Sequence, residues 1–136
     1  MKIRRWEQKQ IFYITVEMFR VDVLIAVDCS EKDLAQWAKK HAPLHLKTMT
    51  DAVKGWDEAV ASGITEGSMV QHGGGFVVFL KPNKNWIRMF GCLVHELTHV
   101  TQYLLNDRRI PLTKETTEVH AYLVEHLVME AASKML

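Results

Sequence analysis

The pentapeptide His95-Glu96-Leu97-Thr98-His99 constrains the fold of this chain more than any other segment, because it lies within a long apolar-periodic stretch. Residues four apart lie on the same face of an α-helix, and two imidazoles at that spacing can bind one zinc ion from one side. The glutamate between them can reach a water molecule on that metal. The pattern therefore predicts a helix that carries two metal ligands and a general base.

The residues that flank the pentapeptide predict that this helix is buried on one side. We expect it to run from about Asn85 to Asn106. Its apolar positions are Met89, Phe90, Leu93, Val94, Leu97, Val100, Tyr103 and Leu104. A polar side chain within such a segment needs a reason to be there, because burial of an unpaired polar group is costly. The apolar flanks therefore argue against a chance pattern on a surface helix.

A second helix is expected directly after the motif helix. It covers about 114–134 and begins at Thr113, which is a suitable cap. Its apolar stripe consists of Val119, Leu123, Leu127 and Ala131. The connection at 107–113 is short, so the two helices are expected to be antiparallel neighbours.

This second helix offers three candidates for a third metal ligand, which a catalytic zinc site requires in addition to a water molecule. Glu118 is preferred, because it follows His99 by 19 residues, close to the spacing in zinc sites that a glutamate on a following helix completes. Glu115 is the second choice, since a carboxylate at an exposed helix start is explained by the helix dipole. His120 is the third choice, because it points away from Glu118.

The motif predicts hydrolysis by a metal-activated water. Zinc lowers the pKa of its bound water toward ~7, and Glu96, which is not a ligand, takes the proton as general base and returns it to the leaving amine. Zinc also polarises the oxyanion of the tetrahedral intermediate, and Tyr122 is a candidate second donor to that oxyanion. The alternative interpretation of Tyr122 is an aromatic side chain packed in the core.

The first half of the chain predicts strands followed by two helices. Residues 11–27 are rich in β-branched and aromatic types, and they form either one long bent strand or a tight hairpin. Ser30, with Asp33 three residues later, is a suitable N-cap for a first helix. A helix at about 49–62 ends at Gly63 and has the apolar stripe Met49, Ala52, Val53, Trp56, Ala59 and Val60.

Gly73-Gly74-Gly75 separate two β-prone runs, at 69–71 and 76–81, and predict a β-hairpin. An extended peptide is expected to add as a strand beside Phe76–Leu80. The whole pattern predicts an α+β fold, in which two helices and a small, mostly antiparallel sheet precede a final pair of helices.

Composition and charge indicate one globular domain over residues 1–136, with the role of residues 1–17 left open. The formal net charge of +1 provides no field that would recruit nucleic acid or an anionic membrane. The apolar runs are too short to span a membrane, and the polar residues Glu7–Gln10 are unlike a secretory signal. Cys29 and Cys92 form no C-x-x-C pair and are expected to be reduced thiols, which favours a cytoplasmic location.

With these elements the chain resembles the small zincin-fold metallopeptidases that use a glutamate as third ligand, and more narrowly compact phage-encoded metallopeptidases. Three segments carry the likeness: Asp28-Cys29-Ser30, Phe76-Val77-Val78-Phe79-Leu80-Lys81, and the pentapeptide followed by Glu118-Val119-His120-Ala121-Tyr122-Leu123. The resemblance implies a minimal zincin fold and a Zn²⁺ cofactor held by His95, His99 and Glu118. It implies Glu96 as the catalytic residue and, for a phage-encoded chain, action in the host cytoplasm.

The chain departs from the larger zincins at two positions. Many of those with a glutamate ligand have an aspartate four residues after it, where it orients a ligand, and here that position is Tyr122. The patterns with a third histidine six residues after the second do not fit, because Leu105 occupies that position.

A zinc metallopeptidase that acts on a peptide or protein substrate is the main hypothesis. The alternative is a zinc-containing, zincin-like binding module without protease activity, and a third hypothesis is a hydrolase for a non-peptide substrate. The remaining histidines show no ligand spacing: His41, His45, His72 and His126. No nucleic acid or membrane partner is expected, and the oligomeric state stays open.

Overall fold

The computed structural model describes residues 4–43, 46–63, 66–72 and 75–136. A four-stranded sheet lies between two pairs of helices, so the predicted α+β class is confirmed. The strands are β1 Gln10–Val16, β2 Val21–Val27, β3 Gly67–His72 and β4 Gly75–Leu80. The helices are α1 Glu31–His41, α2 Leu46–Ala61, α3 Trp86–Asp107 and α4 Thr117–Met135, with short 3-10 helices at Arg5–Glu7 and Glu17–Phe19.

The strand order is β1-β2-β4-β3, and only the central pair, β2 and β4, is parallel. Residues 11–27 form a hairpin rather than one bent strand, because the 3-10 turn and Arg20, whose φ is 53°, reverse the chain between β1 and β2. The antiparallel pairing predicted for β3 and β4 is confirmed. The proposed glycine turn at Gly73 and Gly74 lies outside the described residues.

The position of β4 corrects the expectation that a peptide adds beside Phe76–Leu80. That strand pairs with β2 on one side and with β3 on the other, so neither of its sides is open to another strand. Sequence periodicity describes the faces of a strand but not its neighbours in the sheet. The edges of the sheet are β1 and β3.

Both faces of the central strands β2 and β4 are buried, which explains their nearly continuous apolar runs. Alternate residues of β2 point to opposite faces. Val23 and Ile25 belong to the core that α3 and α4 cover, whereas Leu24 and Ala26 belong to the core that α1 and α2 cover. The first of these two cores holds the motif helix in place.

The predicted helix cap at Ser30 is confirmed for α1, and the structure adds a cap at Asn85 for α3. Ser30 and Asp33 form a reciprocal capping box, and the Asn85 side chain accepts a hydrogen bond from the Ile87 backbone N–H. Gly63, with φ of 72°, follows the end of α2 as expected. The stripe positions Met49, Val53 and Trp56 are buried, whereas the side chains of Ala52 and Val60 lie outside the described part.

Two details predicted for α4 are wrong. The helix begins at Thr117, because the Thr116 hydroxyl bonds to the Thr113 N–H and to the Pro111 carbonyl and so stabilises a turn before the helix. Val119 is 43% exposed. The buried stripe instead consists of His120, Leu123, Leu127, Ala131 and Met135.

Both cysteines are free thiols, as predicted. Cys29 is buried, and this burial raises the pKa of its thiol to about 12. None of the helices in the described ranges combines the length and the apolar character that a membrane span requires.

Candidate metal centre

Helix α3 places both histidines of the pentapeptide on one side. The Nε2 atoms of His95 and His99 are 3.1 Å apart, and their rings meet edge to face with centroids 4.7 Å apart. The His95 side chain is 67% exposed, whereas His99 is half-buried. The four-residue spacing therefore brings the two imidazoles together at the surface of the helix.

The distance between these nitrogens fits two ligands of one zinc ion. Two nitrogens bound tetrahedrally at the usual zinc–nitrogen distance are about 3.3 Å apart, and the observed separation of His95 Nε2 and His99 Nε2 is 3.1 Å. Without a metal, the same distance permits one neutral imidazole to donate a hydrogen bond to the other. The distance is therefore compatible with a shared metal ion and with a direct hydrogen bond.

Glu96 lies on the inner side of the histidine pair. It is 8% exposed, and its Oε1 atom is 4.0 Å from His95 Nε2. Burial raises the pKa of the Glu96 carboxyl, and the neighbouring His95 and His99 act in the opposite direction. A buried carboxylate with a raised pKa is a stronger base than an exposed one.

Strand β3 starts directly against Glu96. A Cβ atom on Gly67 would lie 3.3 Å from Glu96 Cγ and 3.4 Å from Leu80 Cδ2. These are closer than most real Cβ contacts, so a larger residue at this position would displace the glutamate or the leucine. Gly67 therefore permits the edge strand to cover Glu96.

Side-chain contacts connect β3 to α3 near both ends of the strand. Glu66, just before the strand, accepts a hydrogen bond from Arg88 at 2.8 Å and lies 3.6 Å from the half-buried Cys92 thiol. At the other end, Gln71 Nε2 donates to Asp107 Oδ2 at 2.6 Å. Because these contacts occur in the same order along both elements, β3 and α3 run in the same direction, with the Glu96 carboxyl between the two ends.

In the described part of the chain, no third ligand joins the histidine pair. Glu118 is exposed in the first turn of α4, and Glu115 is exposed in the turn that precedes it. His120 is buried, and its Nε2 atom lies 3.0 Å from the Ile110 carbonyl oxygen. Within the described ranges, no three His, Cys, Asp or Glu side chains are grouped so that they could hold a metal ion. Glu118 therefore stays a prediction.

Tyr122 lies away from the histidines. Its side chain is 67% exposed and lines a groove between α4 and β1 whose lining contains neither His95 nor His99. His126 lines the same groove, and His41 packs against Trp37. The role of Tyr122 as an oxyanion donor stays a prediction.

Sequence reasoning missed the contribution of residues 66 and 67. The predicted strand began at Met69, so the contacts of Glu66 and Gly67 with the motif helix were not predicted. The available signal was a glycine at the start of a β-prone run, which often marks a close approach of two elements.

No protein-family model, no curated protein and no solved structure matches the chain.

Proposed function

We propose that the protein is a zinc-dependent peptidase in which His95 and His99 bind the metal ion and Glu96 is the general base. One observation carries this proposal. Two imidazole nitrogens lie 3.1 Å apart on the exposed side of α3, and a buried carboxylate lies 4.0 Å from one of them. Two imidazoles, with a carboxylate on a neighbouring helix, are the donors of many catalytic zinc sites. Glu118 is proposed as that carboxylate.

Each group has a defined role in the proposed reaction. A bound zinc ion supplies Lewis acidity, which favours deprotonation of a water molecule near neutral pH and polarises the scissile carbonyl. Glu96 accepts a proton from the attacking water as the new carbon–oxygen bond forms. It then delivers this proton to the amine nitrogen as the carbon–nitrogen bond breaks. The raised pKa of Glu96 supports both transfers.

The edge strand β3 supports an extended peptide as substrate. It is an edge strand of the sheet, and its first residue, Gly67, lies against Glu96. A peptide that pairs with the backbone of β3 would run past the Glu96 carboxylate. Such binding recognises the backbone of the substrate and depends little on its sequence.

A zinc-containing binding module is the second candidate function. The observation in its favour is that Glu118 does not join the histidine pair in the described structure. Such a module would bind zinc and its partner without cleaving peptides.

The test compares the parent protein with Glu96→Gln, both loaded with zinc, on a broad library of quenched fluorescent peptides. We expect kcat/KM to fall by about 10²–10⁴-fold, the usual contribution of a general base, while the zinc content is unchanged. Glu125→Gln, an exposed carboxylate on α4, is the matched control and should cleave like the parent. A zinc-loaded parent that cleaves nothing supports the binding module, and a fully active Glu96→Gln protein rules out this general base.

A further inference from the structure

The other edge of the sheet carries a large apolar groove. The groove has a volume of about 810 Å³ and lies between β1 and the outer face of α4. Four large apolar side chains that are exposed line it: Tyr13, Met18, Val119 and Tyr122. Contiguous apolar surface of this kind usually marks a binding site.

Strand β1 can accept another strand. In the sheet formed by the described residues β1 pairs only with β2, and its seven residues include no charge, glycine or proline. A second cavity, of about 630 Å³, lies on the opposite face of the sheet, and Tyr13 and Thr15 line both cavities. An added strand would therefore direct alternate side chains into the two cavities.

The pattern of β1 matches a copy of itself. In an antiparallel pair, residues directly opposite each other share a face. A two-fold axis at Ile14 places Phe12 opposite Val16 on the apolar face that contains Ile14, and Tyr13 opposite Thr15 on the other face. The pairing is thus self-complementary, as a two-fold interface requires.

The two ends of the groove can be assigned from contacts that flank it. Arg5, which precedes β1, donates to the Leu136 carbonyl at the end of α4. Arg108, in the connection before α4, donates to the Phe19 carbonyl just after β1. Strand β1 and helix α4 therefore run in opposite directions along the groove.

The charges of the groove are complementary to those of a second copy. Glu17 lies at the end of the groove near the start of α4, and Lys134 lies at the other end. None of the ion pairs found between described residues involves either side chain. A two-fold axis at the centre of β1 exchanges the two ends, and so brings Glu17 of one copy towards Lys134 of the other.

We propose that the protein forms a two-fold dimer in which β1 pairs with β1 of a second copy, the two sheets become continuous, and the α4 helices close the groove. The strand and the groove face of α4 are each about 23 Å long. The face that each copy would bury is as wide as one strand plus one helix, so its area is on the order of 400 Å². This area is below the ~800 Å² per partner of a standard interface. A dimer with micromolar affinity is therefore expected. The dimer does not depend on the metal site.

The first test is analytical ultracentrifugation of the full chain up to about 500 µM. Tyr13→Glu places a charge on the pairing edge and should raise the dimer dissociation constant by about 30-fold or more. Ile87→Lys is the matched control, because Ile87 is 80% exposed at the start of α3, away from the groove, and this variant should dimerise like the parent. Thermal unfolding followed by circular dichroism checks that both variants fold.

The second test reverses the charges of Glu17 and Lys134, singly and together. Glu17→Lys and Lys134→Glu should each weaken the dimer by about tenfold, and a chain with both changes should regain the parent affinity. A parent that stays monomeric over the whole concentration range overturns the proposal. A dimer that Tyr13→Glu leaves intact, or a double variant that is no tighter than the single ones, overturns this pairing.

Discussion

The two edges of the sheet have similar backbones but different surroundings. Edge strand β3 contacts α3 through Glu66 and Gln71, and its first residue, Gly67, lies against the buried Glu96 beside the histidine pair. Edge strand β1 is bordered by cavities on both faces, and the larger of the two is mainly apolar. Either edge can pair with an extended chain, so the groups beside the edge decide between chemistry and association. We therefore propose a substrate at β3 and a second copy at β1.

The largest predicted effect is on zinc binding at the β3 side of the molecule, after substitution of the proposed third ligand. We expect Glu118→Ala to weaken zinc binding by about 100-fold or more, because loss of a direct ligand exceeds the effect of losing a group that only orients one. The measurement is competition with a chromophoric chelator. Glu125→Ala, two helical turns further along α4, should bind zinc like the parent. Unchanged binding by Glu118→Ala together with weak binding by Glu115→Ala would move the assignment to Glu115.

A smaller effect is expected at the contact between β3 and the general base. In Gly67→Ala the new methyl group would lie 3.3 Å from Glu96 Cγ, and a displaced base should lower kcat/KM by about tenfold. Gly91→Ala is the control on α3, because a Cβ there meets nothing within 4 Å. It should keep its activity and gain about 0.5–1 kcal/mol of stability, since alanine favours a helix over glycine. Equal activity of the two variants would show that β3 does not position Glu96.

The smallest effect should come from the ion pair beside β3. The side chains of Arg88 and Glu66 are 62% and 46% exposed, and a pair as exposed as this one contributes about 0–1 kcal/mol. Arg88→Ala should therefore lower the free energy of unfolding in urea by less than about 1 kcal/mol. Lys9→Ala, which removes the ion pair with Asp33 near the start of β1, should have a similar effect. A loss above about 2 kcal/mol for Arg88→Ala alone would mean that this contact secures the β3 edge.

Local features of the fold could be predicted from the sequence because short-range physics determines them. The capping box of Ser30 and Asp33 needs only a hydroxyl and a carboxylate three residues apart. The start of α3 near Asn85 and its apolar periodicity depend likewise on neighbouring residues. The convergence of His95 and His99 follows from helix geometry alone.

Features that depend on distant segments could not be predicted in this way. The central position of β4 results from its pairing with β2. The sequence of β4 does not indicate which strand will pair with it. The start of α4 depends on a hydroxyl network around Thr116 that competes with the helix. Whether Glu118 approaches the histidine pair depends on the packing of α4 against α3, which periodicity does not describe.

The parallel pairing of β2 with β4 has a kinetic consequence. Val23 pairs with Phe76. Formation of this contact closes a long loop that contains α1, α2 and β3, and the closure has an entropic cost. The β1–β2 hairpin and the α3–α4 pair need only local contacts and can form early, whereas non-local strand pairing is slow. Strand β3 is joined to the rest of the sheet through β4 alone. The two histidines can therefore be in place before β3 packs beside Glu96, and recovery of the proposed peptidase activity during refolding should lag behind the formation of helix.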